Sequence, residues 1–144
     1  MDPEVWKVLF QTHHAQLTEK RRKIHAITER TAAILIIVIG WLVLGKTIPP
    51  FSLRLLLILV VLIIVFASCY TQYKNSKAYQ DIALVIRQLN DTYSFFEEKG
   101  YCDGKLYPNK WKKFGKEEPW RSIVHHWVFL FGIAVACVLA TILR

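Results

Sequence analysis

Acidic residues are missing where they would matter most: none of the three long apolar runs in this 144-residue chain contains an Asp or a Glu. Coupling transport to protons or sodium usually relies on a carboxylate buried in a span, so that mode of action is set aside. Cysteine is scarce as well. Cys69, Cys102 and Cys137 are too few for a disulfide framework and show no C-x-x-C spacing for zinc, so free thiols are expected. Six glycines form no phosphate-cradling loop, and neither G-x-S-x-G nor H-E-x-x-H occurs. No enzymatic activity, no cofactor and no metal centre are expected on these grounds. The first thirty residues are charged throughout and lack the apolar core of a signal peptide.

What the chain has in abundance is apolar surface. Hydrophobic residues make up 53% of it, alongside a net charge of +8 from 19 Lys+Arg against 11 Asp+Glu. That is too apolar for an ordinary basic domain, so the expected partner is a lipid bilayer and not a nucleic acid. Residues 31–45, 55–73 and 122–143 form uncharged stretches of fifteen, nineteen and twenty-two residues. A hydrocarbon core about 30 Å thick takes about twenty helical residues, so the second and third stretches can cross unaided. The first needs Lys46, Thr47 and Ile48, with the lysine stem reaching for the headgroups. None shows the polar stripe of a buried soluble helix. The expected fold is all-α: a polytopic membrane protein with three transmembrane helices and a long cytoplasmic extension of the second.

Five segments follow. Residues 1–30 form an amphipathic cytoplasmic helix, 31–48 the first span, 51–99 the second span continuing into a stalk, 100–121 a return loop and 122–143 the third span. Pro49-Pro50 between the first two spans leaves room only for a tight hairpin. With the N-terminus and the 74–121 segment in the cytoplasm, sixteen Lys/Arg lie inside and Lys46, Arg54 and Arg144 outside, the expected positive-inside bias. The C-terminus is then outside. Residues 51–99 contain no Gly or Pro, and Ile82, Val85, Ile86, Leu89, Tyr93 and Phe96 recur at helical spacing, which predicts one unbroken helix. Its stripe needs a partner. The N-terminal segment offers one, because Trp6, Phe10, His13, Leu17, Ile24 and Ile27 recur every three or four residues, with Lys20 occupying one seam position.

Several clusters are candidates for function. Lys20, Arg21, Arg22 and Lys23 form the densest charge cluster and suit anionic lipid headgroups. Adjacent histidines on a helix point about 100° apart, so neither His13-His14 nor His125-His126 chelates one metal alone. His125 and His126 begin the third span, where an ionisable side chain can respond to pH or line a pathway, or simply hydrogen-bond at the interface. Gly132, Ala136 and Ala140 recur every four residues and permit close helix packing, within the chain or between subunits. Arg121 and His126 share the R-x4-H spacing of HEPN ribonucleases, but Ser122 replaces the usual polar residue and the helix then turns apolar.

The layout resembles the bacterial SLATT membrane effectors. KRRKIHAITERTAAILIIVIGWLVL corresponds to their cytosolic helix and first span, and IALVIRQLNDTYSFFEE to their helical extension, over roughly residues 17–99. Those proteins have two spans; this chain adds a third. The resemblance implies a pore-forming or membrane-depolarising effector of antiphage defence in the bacterial inner membrane, triggered by a soluble cytoplasmic sensor protein. One subunit has too few spans to enclose a pore, so a homo-oligomer is expected. Val61, Ile64 and Ser68 on the second span are the candidate pore lining, mostly apolar and gated by dewetting. Lys74, Lys77 and Arg121 would tilt such a pore toward anions. The alternative is a non-conducting membrane anchor or scaffold that recruits a soluble cytoplasmic partner.

Overall fold

The computed structural model describes residues 3–45, 49–92 and 120–143. The chain is all-helical over these residues: α1 spans Pro3–Leu44, α2 Phe51–Thr92 and α3 Val124–Leu143. All three are long and apolar enough to cross a membrane. At 1.5 Å per residue the twenty residues of α3 measure about 30 Å, which matches a hydrocarbon core. The two 42-residue helices are about twice that length.

α1 passes Arg30 without a break, so the expected amphipathic segment and first span are one helix, opened by Pro3, whose missing N–H costs nothing at that position. The helix stops at Leu44, where the Gly45 amide donates to the Trp41 carbonyl at 2.9 Å. Residues 46–48, the expected end of the first span, lie outside the described residues. α2 opens on Pro50, whose carbonyl accepts from the amides of Leu53 and Arg54. Arg54 Nε donates to the Pro49 carbonyl at 2.9 Å, giving this hairpin cation a backbone partner. The unbroken helix expected over 51–99 is present as far as Thr92, and Tyr93, Phe96 and nearly all of the expected return loop lie outside the described residues.

The chain divides into two compact units. Unit 1 comprises Met1–Arg22 and Asn75–Ser122, and unit 2 comprises Lys23–Lys74 and Ile123–Arg144. In unit 1, Leu17 of α1 is buried with Ala83 and Ile86 of α2, and Phe10, Tyr79 and Ile82 pack against them. The Ser76 and Ser122 hydroxyls share a hydrogen bond of 2.8 Å. Of the N-terminal stripe, Phe10 and Leu17 thus pack against α2.

In unit 2 the three helices contribute matching seams. Leu35 and Leu42 of α1, Val61 and Val65 of α2, and Ala134 and Cys137 of α3 form one buried cluster. On α3 the buried positions are His126, Leu130, Ala134, Cys137 and Thr141, steps of three and four that keep one face toward the interior. The outside is the greasier side. Only 11% of the most apolar stretch of α2 is buried within the chain, and Phe66 is 77% exposed. An apolar exterior this extensive is stable in lipid, where backbone groups are satisfied within each helix.

Candidate functional site

One end of unit 2 departs from this apolar rule. Thr28 and Thr31 of α1, Gln72 of α2 and His126 of α3 are all buried, and Gln72 has 0% exposure. They arise from helical phase: Thr28 and Thr31 continue the seam of Ile24 and Leu35, and Gln72 follows Ser68 by four residues. Burying polar groups costs free energy unless they are paired, and these pair across all three helices. Gln72 Nε2 donates to Thr28 Oγ1 at 2.9 Å. Thr28 Oγ1 lies 3.1 Å from His126 Nδ1 and 3.1 Å from the Ile24 carbonyl oxygen, to which it can donate. Thr31 Oγ1 and Ser68 Oγ share a bond of 2.8 Å, and Ser68 also reaches the Ile64 carbonyl. The Gln72 carbonyl oxygen is buried with no partner.

Three imidazoles meet beside this layer. The His126 ring lies 4.8 Å from that of His25, edge to face, and 4.0 Å from that of His125. His126 is buried while His25 and His125 are exposed. Among the described residues no group of three His, Cys, Asp or Glu is arranged to hold a metal. What the arrangement can do is hold α1, α2 and α3 in one register.

The other candidate residues are placed as follows. Val61 lies in the core of unit 2, whereas Ile64 and Ser68 are half-buried, Ser68 through its bond to Thr31. Gly132 and Ala136 are exposed, and a Cβ at Gly132 would meet nothing within 4 Å. Ala140 instead packs against the core. Arg21, Arg22 and Lys23 are exposed and Lys20 is half-buried, as a seam position with an amphipathic stem would be. Cys69 and Cys137 are free thiols. Thr28, Thr31 and Gln72 were not singled out by the sequence, because Thr28 lies beyond Arg30 and Thr31 and Gln72 sit at the ends of the uncharged runs, where an isolated polar residue draws no notice.

Helix content, length and surface together define an all-α protein with three candidate membrane spans. No protein-family model, no curated protein and no solved structure matches the chain.

Proposed function

We propose that this chain is a small homo-oligomeric integral membrane protein that depolarises the membrane through a path formed between subunits. The observation that carries the reading is the division of α3, whose Leu130, Ala134 and Cys137 are buried inside unit 2 while Gly132 and Ala136 face outward. The interior of unit 2 is occupied by these side chains, so the proposed path runs between subunits. Two small outward residues a turn apart let a neighbouring helix approach closely. The distribution of Lys and Arg supports a cytoplasmic N-terminus, a C-terminus outside and a cytoplasmic extension of α2 toward Thr92. The resemblance to SLATT effectors supports a role in antiphage defence at the bacterial inner membrane, with the trigger supplied by a soluble sensor. Because Val61 belongs to the core, the lining passes to exposed α2 residues such as Leu59, Leu62 and Ile63, an apolar surface that gates by dewetting.

The scaffold reading has its own support in unit 1, whose separate core of Leu17, Ala83 and Ile86 can present a docking surface without any conduction. Inducible expression in bacteria carrying a potential-sensitive dye separates the two. Rapid loss of potential is the outcome expected of the effector; an inserted, oligomeric protein that leaves the potential intact establishes the scaffold.

A further inference from the structure

We propose that His25, His125 and His126 form a proton-sensitive clasp between α1 and α3, closed at neutral pH and loosened by acid. The inference concerns how the helices of unit 2 stay closed and does not depend on conduction. Thr28 has one hydroxyl proton and two lone pairs, one of which accepts from Gln72 Nε2. When His126 is the neutral Nε2–H tautomer, its Nδ1 accepts that proton from Thr28. When Nδ1 is protonated the bond reverses: Nδ1–H donates to Thr28, and Thr28 donates to the Ile24 carbonyl 3.1 Å away. The Thr28 link is therefore satisfied in both states and does not oppose protonation.

The response comes from the neighbouring rings. From α1 the titratable group facing His126 is His25, at 4.8 Å, and from α3 it is His125, at 4.0 Å. From α2 the cluster meets Gln72, acting through Thr28, which does not titrate. Glu29 is the only side-chain carboxylate in the sequence of unit 2, and it is exposed, as are the cations Lys23, Arg30 and Lys74. No anion among these facing groups offsets the positive charge that imidazoles take up in mild acid. Two imidazoliums about 5 Å apart at an effective dielectric of about 20 repel by more than a tenfold change in opening requires.

Hydrogen–deuterium exchange on the full chain in lipid nanodiscs tests this, with rates corrected for the intrinsic effect of pH. Between pH 7.5 and 5.5 the amides of residues 25–31 and 124–130 should lose about tenfold or more of their protection, and the double variant His25→Phe/His125→Phe should lose less than about twofold. Equal protection of the wild type at both pH values, or a full loss persisting in the double variant, overturns the clasp. Nitrogen NMR of the wild-type imidazoles keeps the test independent of how the variant folds. Protonation of the rings by pH 5.5 together with the loss of protection supports the clasp, whereas rings that stay neutral, or that protonate with protection unchanged, overturn it.

Discussion

Replacing Thr28 with Val tests whether the polar layer holds the three helices together. The two side chains have nearly the same shape, so the change removes a hydroxyl and little packing. It leaves Gln72 Nε2, on a side chain with 0% exposure, without its acceptor, and it deprives His126 Nδ1 of its partner. Side-chain hydrogen bonds between membrane helices average about 0.6 kcal/mol, which sets a floor of about 1 kcal/mol for two. Leaving a buried donor unsatisfied costs about 1–3 kcal/mol, and Gln72 is fully buried with its carbonyl oxygen already unpartnered, so about 2–3 kcal/mol is expected in total. The partner variant Gln72→Leu removes the orphaned amide. The double variant Thr28→Val/Gln72→Leu should therefore be more stable than Thr28→Val alone, a coupling that simple loss of packing would not produce. Denaturant titration in mixed micelles, followed by tryptophan fluorescence, measures both. Wild-type stability in Thr28→Val, or strictly additive costs in the pair, would refute the reasoning.

An alkaline phosphatase fusion after Arg144 should be active and one at the N-terminus inactive, because sixteen of the nineteen basic residues then lie inside; an inactive C-terminal fusion contradicts that topology. Ala83→Pro should cost about 3 kcal/mol or more, since it removes a backbone bond at a buried position where α2 meets Leu17, and an unchanged melting temperature would show that the helix tolerates a break there. Gly132→Leu should leave the fold of the single chain intact, or stabilise it by up to about 1 kcal/mol through helix propensity, because nothing among the described residues lies within 4 Å of the new Cβ. The same variant should shift cross-linked or chromatographed protein from oligomer to monomer. Wild-type assembly would remove α3 from the subunit contact.

The three spans were legible because apolar length is a local property, and the continuity of α2 because no breaker interrupts it before Gly100. Seam positions were legible in part. Leu17, Ile24 and Ile86 are buried as their spacing predicted, while Val85, which also fits three-four spacing with Ile82 and Leu89, lies off the buried line of Ser76, Ala83 and Ile86 and is exposed. Whether Gly132 and Ala136 face the core or the outside depends on which side of α3 the other two helices occupy, and periodicity alone does not choose. The polar layer was hidden by a rule that usually works. Arg30 looks like a membrane edge, so Thr28 read as lying outside the span, while Gln72 sits at the end of the second uncharged run and passed as part of it; both continue seams whose apolar members were recognised. A threonine or glutamine in phase with a buried leucine is the signal that would have found them.

Flux from reconstituted vesicles as a function of chains per vesicle tests the central claim most directly, because a path between subunits needs more than one chain and a path within a chain does not. Vesicles diluted to about one chain or fewer each should stay tight to a small anion, and leakage should rise more steeply than the first power of loading as oligomers form. Leakage proportional to loading down to single-chain occupancy would contradict the account, as would tight vesicles at every loading with the protein inserted and oligomeric.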